Sequence, residues 1–275
     1  MPIKVHENTI HNDLIEPLKD ECVKINDYIT KGVGALKDGK YTTFWLDKDH
    51  NPQSFIEYIV HNISLQDFPN GFPDNYGGLE WWMQIRGTKE DITFHYDKDE
   101  GICSLEHKYI YPIKSTITYL TNVGGPTAIF NDEEYNNGYL SYPKKNKHLV
   151  FDGHLFHGVI GPLSKIKPTK DSKRITLLIN YWKKKPIEPN CVHPPYELLS
   201  LVPLTKEHVQ LQESVTKEKS KVIKMNYKHG TRNLNIFRNN TPINIILAKS
   251  LQAMKTYSFK FNRINVVSVD TYSNY

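Results

Sequence analysis

The chain has 275 residues, a formal net charge of +5, 17 Tyr, 11 Phe and 4 Trp. That length suits one large domain, or one domain with an appendage, and the aromatic content is enough to bury a core, which excludes a disordered chain. The three cysteines, Cys22, Cys103 and Cys191, are far apart and odd in number, which argues against a zinc ribbon or disulfide framework and for a reducing compartment.

The first residues lack the apolar stretch of a secretory signal, and no apolar run approaches the length of a bilayer span. The expectation is a soluble, cytoplasmic protein with no membrane contact. The charge is uneven: residues 183–275 hold 15 Lys+Arg against 6 Asp+Glu, and residues 1–182 hold 20 against 24. A basic tail could meet nucleic acid, but a solvated surface is the simpler reading.

In chain order, Leu14, Ile15, Leu18, Cys22, Ile25 and Ile29 recur every three to four residues, the pattern of a helix with one buried stripe. Pro17 is expected in its first turn. Gly32, Gly34 and Gly39 break the chain, and residues 41–46 read as a strand. Pro52 suits the start of the next helix, which runs to about Asp67 with Phe55, Ile56, Ile59, Val60 and Ile63 on one side. Residues 1–78 thus read as a helical and loop region that packs on a core. Pro69 to Gly78 is a loop by composition.

From Leu79 the character changes to short β-rich runs. Trp81, Met83 and Ile85 alternate with Trp82 and Gln84. Residues 92–97 form the next run. Ile113, Ser115, Ile117, Tyr119 and Thr121 share one face of another. Runs at 127–131, 139–142, 148–152, 154–160 and 174–182 complete about eight strands, which argues for a sandwich or barrel. Asp132 to Gly138 and Gly161 to Lys173 are loops. Beyond Trp182, residues 186–195 look like an extended linker and 196–221 look partly helical. Runs at 222–227, 234–237, 243–247 and 264–269 read as further strands. The reading divides the chain into 1–78, a core at 79–185, and a basic C-terminal extension at 186–275.

The chemistry-bearing stretch is Thr93-Phe94-His95-Tyr96-Asp97. In a strand, positions i and i+2 share a face, so His95 and Asp97 can offer a nitrogen and an oxygen to one ion. Asp99 and Glu100 are rival carboxylates, but Asp99 lies four residues from His95, and both are expected in a solvated loop. A third ligand comes from the run that holds His148, His154 and His157. Two histidines and one carboxylate with open positions suit non-haem Fe(II). A polar surface strand is the plainer alternative for His95 and Asp97.

The ordered set of His-x-Asp, a distal His followed by Gly-Val, and Arg174-x-Thr176 resembles the 2-oxoglutarate- and Fe(II)-dependent dioxygenases, near their prolyl-hydroxylase-like branch, over roughly residues 79–182. The resemblance implies a mainly β fold with flanking helices around a double-stranded β-helix, or jelly-roll. It places a Gly a few residues before the distal ligand and a Val two after it, which Gly153 and Val159 meet for His157 rather than His154. It implies Fe(II) held by His95, Asp97 and His157, with 2-oxoglutarate and O2 as cosubstrates and succinate and CO2 as products. Arg174 would bind the distal carboxylate of 2-oxoglutarate through its guanidinium fork, with Thr176 adding a hydroxyl. An ordinary surface ion pair is the alternative for Arg174. Tyr119 and Gln84 are further polar candidates. Of Trp81 and Trp82, one is expected in the core and the other as surface cover, and His148 and His107 as ordinary histidines. The implied activity is oxidation, most simply hydroxylation, of a protein side chain or small molecule. A cupin-like metalloenzyme that does not use 2-oxoglutarate and a catalytically silent binding module are the rivals.

Overall fold

The computed structural model describes residues 3–30, 42–130, 137–164, 169 and 172–215, and the backbone of strands at 218–219, 223–226, 231–238 and 241–248. Its central element is β10 (Lys173–Trp182), whose side chains alternate between two environments. Ile175, Leu177, Ile179 and Tyr181 enter the largest apolar cluster. Arg174, Thr176, Leu178 and Asn180 fall on the opposite face by the two-residue period of a strand. β3 (Gly78–Gly87) and β5 (Lys114–Tyr119) flank it, both antiparallel.

These three belong to an eight-stranded sheet. Its order is β11 (Cys191–Val192), β2 (Thr43–Asp47), β3, β10, β5, β8 (Lys147–Phe151), β1 (Lys4–Glu7) and β12 (Glu218–Lys219). A five-stranded sheet has the order β13 (Ile223–Asn226), β7 (Asn137–Ser141), β6 (Thr127–Phe130), β9 (His157–Val159) and β4 (Ile92–His95). A hairpin of β14 (Thr231–Arg238) and β15 (Thr241–Ala248) stands as a separate two-stranded sheet. The protein is mainly β, with helices on one side.

Helix α1 (Asn12–Thr30) buries the six apolar positions that the sequence spacing marks. Helix α2 (Phe55–Asp67) starts at Ser54, whose side chain accepts from the Glu57 N–H, a cap worth about 1 kcal/mol. Both helices pack against Phe44, Leu46, Leu79, Trp81 and Met83. Burying each such large apolar side chain contributes roughly 1.5–3 kcal/mol. The other face of the large sheet meets the small one: Ile117, Tyr119, Leu149, Phe151 and Leu178 cluster with Ile129 of β6. The Tyr119 hydroxyl crosses the gap to the Ser141 carbonyl at 3.0 Å.

Several expectations change. Pro17 sits in the second turn of α1, not its first, because the helix begins at Asn12. Strand β1 was not apparent in the sequence; it pairs with β8 from Lys4↔Val150 to Glu7↔Lys147, and its four residues are too few to show a period. The segment after Trp182 is not purely a linker, since Cys191 and Val192 pair in parallel with Thr43 and Phe44. Short helices α4 (Tyr196–Leu199) and α5 (Lys206–Glu213) follow. The glycine break at 32–39, most of the 132–138 loop, part of the 161–173 loop and the strand expected at 264–269 lie outside the described residues. Among the described residues, no helix is long and apolar enough to cross a membrane.

His148 is fully buried and ties helix α2 to the large sheet. Its Nε2 lies 3.1 Å from Asp67 Oδ1 and its Nδ1 lies 2.7 Å from Thr118 Oγ1. Tyr181 donates to Asp67 Oδ2 at 2.5 Å. The end of α2 is thereby tied to β5, β8 and β10, and the polar groups are satisfied as buried ones must be.

Candidate metal centre

β4 and β9 pair antiparallel with His95 directly opposite His157, so the two imidazoles stand side by side with ring centroids 4.5 Å apart. The strand ends at His95 rather than running to Asp97. What brings Asp97 back is the turn into α3 (Glu100–Glu106), a helix that replaces the solvated loop expected there. Asp99 is that helix's N-cap, accepting from the Ile102 N–H at 3.0 Å, and its second oxygen accepts from the Ile187 N–H at 3.1 Å. Asp99 is therefore a buried clamp, not a solvated rival ligand. It fixes the backbone two residues beyond Asp97.

Asp97 Oδ1 is 3.6 Å from His95 Nε2, and Asp97 Oδ2 is 3.8 Å from His157 Nε2. One ligand atom from each of the three residues lies within 4.8 Å of the others. The carboxylate–imidazole separations are too long for hydrogen bonds but leave room for an ion between the groups. The orientation of each ring favours that use. His95 Nδ1 lies 2.7 Å from the Thr93 carbonyl, and His157 Nδ1 lies 2.9 Å from the Leu155 carbonyl. A carbonyl can only accept, so each Nδ1 carries the proton and each Nε2 turns a lone pair to the centre. Ser115 donates to Asp97 Oδ2 at 2.6 Å and orients the third ligand.

The charges agree with this. Burial alone would raise the Asp97 carboxyl, but the charges of His157 and His95 and the Ser115 hydrogen bond outweigh it and hold it well below the ordinary carboxylate range. Burial lowers the pKa of His157, against the pull of Asp97. For His95 burial also lowers the pKa, but the Asp97 charge outweighs it and raises it, so an ion taking Nε2 would displace a proton there. The anionic Asp97 and the neutral His157 are the states a divalent ion requires.

Behind the centre, a narrow cavity runs to Arg174 and Thr176, bordered by Gln84, Thr127 and Val159. Arg174 is 1% exposed. Its Nη2 donates to Thr127 Oγ1 at 3.1 Å, its Nη1 has a long contact of 3.4 Å with Thr176 Oγ1, and its Nε has no partner. Among the described residues, no carboxylate pairs with it. The Tyr119 ring centre lies 5.3 Å from the guanidinium carbon. Burial pulls the Arg174 pKa down against the influence of Tyr119, yet a guanidinium stays charged. A buried cation with only hydroxyl neighbours is costly unless an anion joins it. The donor set therefore fits the distal carboxylate of a diacid whose other end meets the metal ligands.

The structure brings His95, Asp97 and His157 to one point, and Arg174, Thr176 and Gln84 to the cavity beside it. Tyr119 does not line that cavity: it is buried against Arg174, with its hydroxyl donating to Thr127 Oγ1 at 2.8 Å and to the Ser141 carbonyl at 3.0 Å. Thr176 stands opposite Gln84 on β3 and opposite Tyr119 on β5. His154 is exposed, with its ring 6.4 Å from that of Tyr111. Trp81 is core, packed on Phe44, while Trp82 lines the cleft in front of His95 and Asp97 as well as the cavity. Sequence reasoning did not assign Ser115 or Thr127 a role. Ser115 shares a strand face with Ile117 and Tyr119, and that alternation is the one signal that could have found it. Nothing local marks Thr127.

No protein-family model matches the chain, and no curated protein matches it in sequence. Among solved structures, the chain is similar to a prolyl-4-hydroxylase from Pseudomonas putida at 15% identity, over 68% of this chain and 87% of that one, with a TM-score of 0.43. A non-heme monooxygenase in complex with nickel matches at 17% identity, over 66% of this chain and 73% of that one, with a TM-score of 0.43. AviO1 from Streptomyces viridochromogenes matches at 16% identity, over 70% of this chain and 92% of that one, with a TM-score of 0.39. Two of these remote neighbours are thus named as a hydroxylase and a monooxygenase. At that distance the likeness does not carry chemistry to this chain; its own residues must.

Proposed function

We propose that the protein is a non-haem Fe(II)- and 2-oxoglutarate-dependent dioxygenase, built on a double-stranded β-helix formed by the two packed sheets. The observation that carries this reading is the pairing of two features: three converging ligand atoms with both Nδ1 positions anchored, and a buried Arg174 without an acid partner at the end of the same cavity. Two histidines and one carboxylate on one side of an ion suit Fe(II) and leave its far side open. His95, Asp97 and His157 would hold the iron. Bound there with 2-oxoglutarate and O2, the metal supplies oxidative decarboxylation to succinate and CO2 coupled to oxidation, most simply hydroxylation, of a second substrate.

The chain's own groups do the rest. Arg174 and Thr176 bind and orient the distal carboxylate of 2-oxoglutarate, and Thr127 holds the guanidinium in place. Gln84 walls the same space, and Tyr119 supports Arg174 and Thr127 from behind. Ser115 keeps Asp97 turned to the centre. Ile117, Val159 and Leu178 line the cavity with apolar surface, which excludes water and strengthens each charged contact.

The test is anaerobic titration of the purified chain with Fe(II) and then 2-oxoglutarate, following the weak visible charge-transfer band of the chelate. The wild type should develop the band, His157→Ala should not, and Arg174→Ala should need at least tenfold more 2-oxoglutarate. Metal binding without the band would overturn the cosubstrate and leave a metalloenzyme of another type. Absence of metal binding would overturn the reading altogether.

A further inference from the structure

The open cleft in front of His95 and Asp97 has a floor that the metal centre does not use. Asn180 and Glu80 are direct cross-strand partners on β10 and β3, and Asn180 is the direct partner of Ser115 on β5. Asn180 is 3% exposed, lines the cleft, and its Oδ1 has no hydrogen-bond partner. Glu80 is held in place from behind: Thr43 Oγ1 donates to its Oε1 at 2.6 Å and Trp182 Nε1 donates to its Oε2 at 2.9 Å. The Glu188 carboxyl comes against it from the segment that precedes β11.

We propose that Glu80, Glu188 and Asn180 form the primary-substrate subsite and that it takes a cationic nitrogen with several N–H donors, an ammonium or a guanidinium. This deepens the oxygenase reading and rests on it for the reaction. The three groups present acceptor oxygens to one space. Two neighbouring carboxyls and an unpaired amide oxygen suit a ligand with several N–H donors, and a positive one also offsets the carboxylate charge. The nearby cations are already committed. Lys98 is paired with Glu100 at 2.7 Å, and Lys185 donates to the Cys191 carbonyl while its charge offsets part of that of Glu188. Arg86 is exposed, six positions along β3 from Glu80. Burial pushes the Glu80 carboxyl up to about 8, with Glu188 and Asp97 adding to it against the Thr43 and Trp182 hydrogen bonds. A bound cation would replace the proton that the pair otherwise keeps.

The spacing also suits such a substrate. Glu80 stands two strands from Ser115, roughly 10 Å at the usual interstrand distance, and Ser115 touches Asp97. A nitrogen held at Glu80 and a carbon presented to the metal would be several bonds apart, as in a lysine or arginine side chain or a polyamine.

The test measures binding apart from turnover. The full-length chain is titrated with a lysine-containing peptide, an arginine-containing peptide, spermidine and a glutamate-containing peptide, reading tryptophan fluorescence, since Trp82 and Trp182 border the subsite. Metal affinity is measured in parallel. At least one cationic probe should bind, the glutamate peptide should not, and Glu188→Gln and Asn180→Ala should each weaken binding about tenfold or more while metal affinity stays within twofold. The probe that binds tightest identifies the source of the cation. Cation binding unchanged in both variants would overturn the subsite, as would failure of every cationic probe with metal binding intact. Cation binding without metal binding would overturn the oxygenase reading and support the subsite.

Discussion

Removing the Ser115 hydroxyl should weaken the metal site without unfolding the protein. Ser115 donates to Asp97 Oδ2 at 2.6 Å, the length of a charge-assisted O–H···O⁻ bond. Such a bond contributes about 1.5–3 kcal/mol, which converts to a loss of roughly 10- to 100-fold in ion affinity at about 1.4 kcal/mol per tenfold. Ser115→Ala leaves both histidines anchored by their carbonyls and removes only one atom from a buried position. Ser115→Thr keeps the hydroxyl and should recover most of the loss. The assay is anaerobic competition for Fe(II) against a chromophoric chelator, with a urea denaturation curve as the fold control. An Ala variant that binds metal within twofold of wild type would refute the claim that Asp97 is a ligand oriented by Ser115.

Three further outcomes are expected. A Cβ on Gly158 would stand 2.8 Å from the Ile92 carbonyl oxygen and 2.9 Å from Phe94 Cγ, so Gly158→Ala should spread β9 from β4, separate His157 from His95 and lower metal affinity at least tenfold in the same competition assay. Gly124 has φ of +110° and a Cβ there would lie 2.7–2.8 Å from carbons of the Arg174 side chain. Gly124→Ala should therefore weaken 2-oxoglutarate binding in the charge-transfer titration while metal affinity holds. Burial of Glu21 raises its carboxyl from the ordinary 4.5 to about 8, with Glu57 adding to it against the Ile56 backbone and Lys24. Between those values the folded chain keeps a proton that the unfolded chain sheds, so stability should fall as pH rises from about 5 to 8, by the order of a few kcal/mol. Glu80 acts in the same direction. Urea midpoints that do not fall over that range, or a slope that Glu21→Gln leaves unchanged, would refute this.

The parts of the molecule legible in the sequence were those whose signal repeats. The stripe in α1 and the alternation in β3, β5 and β10 persist over several turns or residue pairs, and each lies close to where its period placed it. Strand β1 and helix α3 were missed because four and seven residues do not establish a period, and because both are held by distant partners. β1 is held by β8, and α3 by a cap whose second oxygen binds Ile187. The same limit applies to the site. His95 and His157 are readable as candidates, but the i,i+2 rule that joined Asp97 to His95 is not how the structure joins them. A turn locked by Asp99 does so. Thr127, Glu80 and Asn180 carry no local mark. Their meaning comes from which strands lie beside which, and sheet order is not written in any single segment.

That sheet order also explains how opposite charges coexist around one centre. On β10, Arg174, Thr176, Leu178 and Asn180 follow one another on a single face. At about 3.4 Å per residue, Arg174 and Asn180 lie roughly 20 Å apart. With an effective dielectric of about 20, a guanidinium and a carboxylate at that separation attract by only about 0.8 kcal/mol, against about 4 kcal/mol at 4 Å. Set within contact of Asp97 or Glu80 instead, the guanidinium would pair with that carboxylate, and the cavity would lose its free cation and the centre its free anion. Leu178 and its β5 partner Ile117 place apolar surface in the interval. A run of alternating residues thus keeps a cationic end, a middle beside the His95, Asp97 and His157 ligand atoms, and an acceptor-rich end from neutralising one another.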